Sequence, residues 1–299
     1  MDFPSLNAFV AVAESGSFSR AAEQRFMTQP AISKRIASLE ADLGVTLFDR
    51  LGRGIQLTEA GRKFLVSARR ILADIDISRE ELHSLGSVVG GRLRLATSHH
   101  VGIHRLPPVL KAFTQACPDV ELDLLFMDSE LACDDVLNGH IELAVVTLPD
   151  KLEGSLLTQL VWPDPLSIVC ATDHPLANAL DKGFEVTADY LTSFNAVLPA
   201  RGTVTRTILL DALQPFGVTV ATSLETNYLE TIKMMVSVGL GWSALPSNMI
   251  DGEMIAVPVQ GLAMQRQLGS VCLKDRTLSR AALAFLELLP GSRPGRVPS

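Results

Sequence analysis

The stretch that decides the fold of the N-terminal part runs from residue 15 to residue 61, SGSFSRAAEQRFMTQPAISKRIASLEADLGVTLFDRLGRGIQLTEAG. Its central apolar positions are spaced by four, three and four residues, the stripe of an amphipathic helix: Ile32, Ile36, Leu39 and Leu43. Pro30 suits the first turn of this helix, and Gly44 ends it. The following residues form two short apolar segments around a Gly-Arg-Gly turn at 52–54, which predicts a small hairpin.

Two shorter helices are predicted before this one. Leu6, Phe9, Val10 and Ala13 recur at helical spacing, and Gly16 stops that helix. Ser17 or Ser19 then begins a second helix, whose small alanines at 21 and 22 permit close packing, and Thr28 is placed to cap the third. Two helices joined by a short turn and followed by a hairpin indicate a winged helix-turn-helix.

The third helix has a polar face suited to DNA. Its buried stripe leaves Gln29, Ser33 and Lys34 pointing outward, with Pro30 and Arg35 close by; glutamine pairs with adenine edges, and lysine or arginine with guanine or phosphate. Hydroxyls and free amides at helix starts can hold phosphates, which selects Ser17, Ser19 and Thr28. Arg50 and Arg53 on the hairpin are placed to reach the DNA backbone or the minor groove.

Four motif blocks in this region closely resemble the N-terminal signature of LysR-type transcriptional regulators. They are S-F-S-R-A-A, T-Q-P-A-I-S-K-R-I-x-x-L-E, L-G-V-x-L-F-D-R and R-G-I-Q-L-T-E-A-G, and the match spans roughly residues 3–63. The resemblance implies DNA contact by Gln29, Pro30, Ser33, Lys34 and Arg53. Arg35 stands where the family often has an uncharged residue. The alternative is a small helical domain that binds protein instead of DNA.

Residues 59–84 form a long helical pattern. Its apolar positions Phe64, Ala68, Ile71, Ile75 and Leu82 carry charged residues between them, a pattern typical of a helix that pairs with a second chain. The alternative is a helix packed on its own domain. The segment GSVVGG at 86–91 is interpreted as a hinge, so we assign 1–58 to DNA binding and 59–90 to a dimerising linker and hinge.

From residue 92 onward strands alternate with helices. Strands are predicted at 92–97, 120–126, 142–147, 166–171, 196–199, 218–223 and 269–274, and helices include 106–116, 205–213, 228–238 and 278–289. This alternation over about 200 residues predicts an α/β sheet architecture. A Pro/Gly/Arg-rich tail follows.

The LysR resemblance extends more loosely through this part. It implies an effector domain at 91–299 similar to type 2 periplasmic binding proteins, with two subdomains joined by two crossing strands and the ligand between them. On that basis subdomain one is 91–163 plus 267–299, and subdomain two is 164–266. It also implies a homodimer, a tetramer through the effector domains, and promoter DNA and RNA polymerase as partners.

A ligand in such a domain is expected at strand-to-helix turns, because the carboxyl ends of strands line the crevice of open α/β sheets. The turn residues on this criterion are Ser98, His99, His100, Thr147, Arg201, Gly202, Thr203 and Asn227. Helix N-termini favour anions, and arginine can pair with a carboxylate. We therefore expect a small anionic effector, whose identity the sequence does not give.

Each of these residues also has a structural interpretation. Hydroxyls at helix starts are commonly caps, which is the alternative for Ser98 and Thr203, and the alternative for Arg201 is a solvated loop charge. His99, His100 and His104 raise the question of a metal, but no cysteine or carboxylate lies at compatible local spacing. We expect neither a metal nor a cofactor.

Charge and composition are consistent with a regulator. Residues 1–64 contain eight Lys/Arg and seven Asp/Glu, so the overall charge of −7 comes from the remainder of the chain. The four scattered cysteines are expected to be buried and reduced. With no export signal and no long apolar run, we expect a cytoplasmic protein. The rival classes are an enzyme, whose common motifs are absent, and a transport-type solute binder.

Overall fold

The computed structural model describes residues 1–51, 54–83, 89–150 and 154–291. Its N-terminal part begins with three helices, α1 (Phe3–Ser15), α2 (Phe18–Gln24) and α3 (Gln29–Leu43). The predicted stop signals are confirmed, since Gly16 and Gly44 follow α1 and α3 in the left-handed conformation. The helices share one core, in which Phe9, Val12, Ile32 and other apolar side chains are excluded from solvent. The winged helix-turn-helix prediction is therefore confirmed.

The hairpin β1 (Phe48–Leu51) and β2 (Gly54–Leu57) follows α3 and is antiparallel. Glu40, near the end of α3, accepts hydrogen bonds from the backbone amides of Leu47 and Phe48, which fixes where the hairpin leaves the helix. The hairpin tip, with Arg53, lies outside the described residues. The linker helix α4 (Glu59–His83) comes next, with the Thr58 hydroxyl accepting from the amide of Gly61.

The α4 helix packs in part on its own domain. Ala68 is fully buried, and Phe64, Leu65, Ile71 and Leu72 are partly buried against the N-terminal core. Part of α4 therefore packs on its own domain, as the alternative interpretation predicted. Pairing of α4 with a second chain stays a prediction. Of the predicted hinge at 86–91, residues 86–88 lie outside the described residues, and Gly90 and Gly91 are the first residues of strand β3 (Gly90–Thr97).

The remaining elements alternate between helix and strand, as predicted. The first group is β3 (Gly90–Thr97), α5 (His99–His104), α6 (Pro107–Ala116), β4 (Asp119–Phe126), α7 (Ser129–Leu137), β5 (Leu143–Thr147) and β6 (Leu156–Ala171). The second is α8 (Pro175–Asp181), α9 (Ala188–Leu191), β7 (Ala196–Leu198), α10 (Val204–Leu213), β8 (Thr222–Glu225), α11 (Leu229–Ser237), β9 (Ser243–Pro246), β10 (Met254–Ala256), β11 (Met264–Leu273) and α12 (Arg280–Glu287).

Two long antiparallel strands hold the two halves of this region together. The main sheet has the order β10-β6-β11-β5-β3-β4, with β9 also on β6. Strand β6 has 16 residues and pairs with β11 from Leu166–Met264 to Leu156–Leu273. One end of this ribbon joins the parallel strands β3, β4 and β5, and the other joins β9 and β10. These are the crossing strands that the family resemblance implies, and the α/β fold class is confirmed.

Each half has its own apolar core. One core surrounds Leu95, Phe113 and Phe285. The other surrounds Leu198 and Trp242, whose indole donates a hydrogen bond of 3.0 Å to the backbone carbonyl of Leu191. Separate cores allow the two halves to move as units, because each retains its packing when the space between them changes. Among the described residues, no helix combines the length and hydropathy needed to cross a bilayer.

The predicted elements differ from the structure mainly where strands are short. Four predicted helices, 106–116, 205–213, 228–238 and 278–289, match α6, α10, α11 and α12 to within about two residues. The predicted strand at 218–223 is misplaced, because β8 runs from Thr222 to Glu225 and shares only residues 222 and 223 with the prediction. The strand predicted at 166–171 is the last part of β6, whose first ten residues contain two prolines, Pro163 and Pro165, that obscure the strand pattern.

Candidate functional site

The exposed face of α3 matches the predicted DNA-binding face. Ile32, Ile36 and Leu39 are buried. On the opposite side Gln29, Pro30 and Lys34 are exposed, and Ser33 and Arg35 are half-buried. The turn before α3 is held by a hydrogen bond of 2.8 Å from the amide of Met27 to the carbonyl of Ala22. The first two turns of α3 therefore present these polar side chains on one face of the helix.

The predicted phosphate-holding hydroxyls differ in their local roles. Ser17 caps α2, since its Oγ accepts from the amide of Arg20 at 3.4 Å. Ser19 is exposed in the first turn of α2, and Thr28 is exposed at the N-cap position of α3 without a side-chain capping bond. Arg50 lies on β1 opposite Ile55, and its side chain, like all of Arg53, is outside the described residues. Phosphate contact by these residues stays a prediction.

The second candidate site is a closed cleft between the two halves of the C-terminal region. Its cavity has a volume of about 50 Å³. Five turns and strand β11 line it, and the lining residues are Ser98, His99, His100, Met127, Asp128, Ser129, Glu130, Thr147, Pro199, Thr203, Val204, Thr205, Asn227, Leu229 and, on β11, Arg266. A water molecule occupies about 30 Å³ of the liquid. The cavity is thus too small for a metabolite, and the cleft must open to admit one.

Two carboxylates from one half close the cleft by binding the other half. Asp128 accepts a hydrogen bond of 2.7 Å from the side-chain amide of Asn227, whose own Oδ1 accepts from the amide of Ala200. Glu130 accepts a hydrogen bond of 2.8 Å from the amide of Val204, the first residue of α10. The N-terminus of a helix favours negative charge. The protein's own carboxylate therefore occupies the kind of position expected for an anionic ligand.

A buried ion pair forms the polar floor of the cleft. Arg266 on β11 donates to Asp164 on β6 at 3.0 Å and to the hydroxyl of Thr205 at 3.0 Å. Arg105 donates to the other oxygen of Asp164 at 2.9 Å. Burial alone would raise the pKa of Asp164, but the charge of Arg266 and these hydrogen bonds outweigh it and hold that pKa below its usual range.

Two lining residues have polar atoms that the described residues leave without hydrogen bonds. These atoms are Oγ of Ser98 and both ring nitrogens of His100. The His100 side chain is 4% exposed. Burial, together with the nearby Arg266 charge, lowers the pKa of His100 to about 3, so the imidazole is neutral at physiological pH. Buried polar atoms without partners are rare, and their position in a cleft points to a ligand.

The structure brings six of the eight predicted effector residues to this cavity. They are Ser98, His99, His100, Thr147, Thr203 and Asn227. Thr203 is also the N-cap of α10, so the alternative prediction that its hydroxyl caps a helix is confirmed as well. The other two expectations do not fit: Arg201 is 85% exposed and lies 3.6 Å from Glu225, and Gly202 occupies the exposed turn with a φ of +87°. The side chain of Arg201 extends into solvent toward Glu225, although Pro199 and Thr203 on the same turn line the cavity.

Several cleft residues were missed from the sequence. Asp128, Ser129 and Glu130 follow strand β4 and begin α7, so the same strand-to-helix rule could have found them. Arg266 gave no such signal, because it lies within a strand and reaches the cleft only through the pairing of β6 with β11.

Two family models match the chain. The model described as "Bacterial regulatory helix-turn-helix protein, lysR family" matches residues 3–62, and that described as "LysR substrate binding domain" matches residues 86–292. Among relatives, a probable RuBisCO transcriptional regulator of Synechocystis is 30% identical over 295 residues, covering 95% of this chain and 85% of the relative. An uncharacterized HTH-type transcriptional regulator of Azotobacter vinelandii is 62% identical over 108 residues, covering 36% of this chain and 75% of that protein.

Solved structures share the fold over nearly the whole chain. Full-length OxyR from Pseudomonas aeruginosa superposes with a TM-score of 0.74 at 22% identity, covering 98% of this chain and 99% of that one. A full-length CbnR complexed with its target DNA gives 0.63 at 21% identity, covering 97% and 99%. With the two family models spanning the helix-turn-helix and the cleft, the chain belongs to the LysR family of bacterial transcription regulators.

Proposed function

We propose that this protein controls transcription by binding promoter DNA through α3 and the hairpin, and that a small anionic metabolite bound in the cleft switches it. The observation that carries the switch is the bond between Glu130 and the N-terminus of α10. This bond supports a site suited to a carboxylate. The polar atoms of Ser98 and His100 that lack hydrogen-bond partners among the described residues supply further contacts for a ligand. The proposed role is non-catalytic and cytoplasmic.

The proposed switch depends on competition between Glu130 and a ligand carboxylate for the N-terminus of α10. A ligand carboxylate that displaces Glu130 from Val204 removes one of the bonds that close the cleft and gives the two halves a new separation. A ligand shifts such an equilibrium only by the difference in its affinity for the two states. The altered angle between the halves then changes the spacing or bending of DNA held by paired N-terminal domains.

The proposed assembly is a dimer through α4 that associates further into a tetramer, with RNA polymerase as a further partner. Ile71 and Ile75 on α4 are only half-buried within one chain. Their remaining apolar surface, with charged residues on either side, is available to pack against α4 of a second copy. Two copies present two α3 helices, which matches the paired half-sites that helix-turn-helix dimers bind.

The test is footprinting of the full chain on the DNA upstream of its own gene, at stated salt, with a panel of small carboxylates. We expect a long interrupted palindrome to be protected and one compound to change the extent of protection. A variant lacking residues 1–60 is expected to lose protection. Absence of protection at moderate salt would overturn the DNA-binding proposal, and protection insensitive to every anion but altered by a cation would overturn the anionic effector.

A further inference from the structure

Three side chains capable of binding a metal meet beside the cleft. His100 and His104 lie four residues apart on α5, with ring centroids 4.8 Å apart. Glu230 on α11 approaches from the opposite half, with its Oε1 2.9 Å from Nε2 of His104. One ligand atom from each of the three lies within 4.8 Å of the others. To bind one ion, the three atoms would have to converge to the roughly 2.1 Å from it that is typical of zinc ligands.

The unbonded nitrogens of His100 are an independent sign of a ligand. Neither ring nitrogen has a hydrogen-bond partner among the described residues, although the side chain is more than nine-tenths buried. Oδ2 of Asp164 lies 3.9 Å from Nε2 of His100, beyond hydrogen-bond distance. A metal would therefore use a lone pair that no hydrogen bond among the described residues uses.

We propose that His100, His104 and Glu230 bind a divalent transition-metal ion of the Zn²⁺ class, which fastens α5 to α11 across the cleft. Two histidines at positions i and i+4 with a distant carboxylate are a ligand set suited to zinc, nickel or copper. The histidines at 99, 100 and 104 raise the question of a metal in the sequence, but the third ligand lies 126 residues from His104 and only the fold brings it near.

The surrounding charges are compatible with a cation. Arg105 and Arg266 lie close to His100, but both are bonded to Asp164. Glu230 supplies one negative charge directly to the site. Three protein ligands leave a fourth position for water or for a donor atom of a bound metabolite. Metal binding does not depend on the proposed function, although any effect of the metal on DNA binding does.

The experiment is a titration of the untagged, metal-free full chain with Zn²⁺, followed by competition with a chromophoric chelator, without DNA or effector. We expect one Zn²⁺ per chain. His104→Asn and Glu230→Gln should each weaken binding at least about tenfold. These two side chains are 33% and 36% exposed, so their replacement leaves the core intact.

His140→Asn is the matched control. His140 lies 2.9 Å from Asp135, the same distance that separates His104 from Glu230. Within the described residues, however, no third metal ligand lies beside His140 and Asp135. Its Zn²⁺ affinity should equal that of the original chain. Equal affinity in His104→Asn, Glu230→Gln and the original chain would overturn the proposal, as would the absence of binding by the original chain. Since no DNA is present, failure of the DNA-binding proposal cannot produce either result.

Discussion

The carboxylate of Glu130 accepts a hydrogen bond of 2.8 Å from the amide of Val204, 74 residues further along the chain and on the other side of the cleft. A free helix N-terminus in such a cleft would attract an anion from solution. Here the protein supplies that anion itself. The closed cleft is therefore stabilised by the same interaction that an anionic ligand would use, so the two must compete.

Replacing Glu130 with glutamine should strengthen binding of an anionic effector. Glu130→Gln keeps a weaker acceptor for Val204 but removes the competing charge, and a helix end interacts with a charge by about 0.3–1 kcal/mol. We expect effector affinity to rise about two- to fivefold, measured by titration calorimetry with the carboxylate identified by footprinting. Asp134→Asn removes an exposed carboxylate on the same helix, outside the cleft lining, and should leave affinity unchanged. Weaker binding by Glu130→Gln would contradict competition.

The buried pair of Asp164 and Arg266 should be costly to break from one side. Asp164→Asn leaves Arg266, which is 3% exposed, without its counter-charge. Breaking a buried pair in this way lowers the free energy of unfolding by about 3–5 kcal/mol. Urea unfolding of the single variant and of Asp164→Asn/Arg266→Met measures this, and the double variant should regain part of the loss. A loss below about 1 kcal/mol in the single variant would show that solvent reaches Arg266.

Lys34 on α3 should contribute to DNA affinity and to its salt dependence. It is exposed on the predicted DNA face. A lysine that neutralises one phosphate contributes about one unit to the slope of log affinity against log salt. Lys34→Ala should reduce that slope accordingly, measured by fluorescence anisotropy at several salt concentrations. Lys63→Ala removes an exposed lysine that is already paired with Glu59 at 2.8 Å and should have little effect. Equal slopes for the two variants would remove Lys34 from the interface.

His174 should make stability depend on pH. Its Nδ1 accepts a hydrogen bond of 3.1 Å from the amide of Leu176 at the start of α8, which requires the unprotonated ring. Burial lowers the pKa of His174 below the ordinary value of 6.5. The unfolded chain therefore takes up the proton first, and stability is present above about pH 6.5 and is lost as the pH falls below it.

His174→Asn keeps a capping oxygen without this titration, because asparagine is a strong N-cap residue. Thermal unfolding followed by circular dichroism should show the melting temperature of the original chain falling more steeply below pH 6.5 than that of the variant. Parallel curves for the two proteins would mean that protonated His174 is tolerated in the folded state.

Gly269 should not accept any side chain. A Cβ there would lie 2.1 Å from the backbone oxygen of Gln159 on the neighbouring strand, at the shift in register between β6 and β11. Gly269→Ala must therefore move one crossing strand, at a cost of about 1–3 kcal/mol or more. Gly252→Ala, where nothing lies within 4 Å, should stay within about 0.5 kcal/mol in urea unfolding. Similar values for the two variants would show that the ribbon adjusts freely.

Local patterns predicted the N-terminal domain well. The stripe of Ile32, Ile36 and Leu39 and the two stop glycines identify α3, because helix periodicity and capping depend on residues within a few positions. The exposed face with Gln29 and Lys34 follows from that stripe. The family signature added the function, since several motif blocks at fixed spacing are far more specific than a single helix.

The expectation that cleft residues lie at strand-to-helix turns also depends on local sequence alone. It placed Ser98, His100, Thr147 and Asn227 at the cleft, where the structure has them. It was misleading for Arg201, which occupies a suitable turn but points into solvent. Position on a turn is set by the sequence neighbours, whereas the direction of a side chain depends on how that turn packs against the other half.

The sequence by itself therefore determined the helices, most of the strands, the exposed polar face of α3 and the family. Only the tertiary structure decided the contacts across the cleft, such as Glu130 with Val204 and His104 with Glu230, which are 74 and 126 residues apart. Those contacts exist because the long ribbon of β6 and β11 sets the distance between the halves. No local pattern encodes that distance, since it results from the pairing register of strands that are about 100 residues apart in the chain.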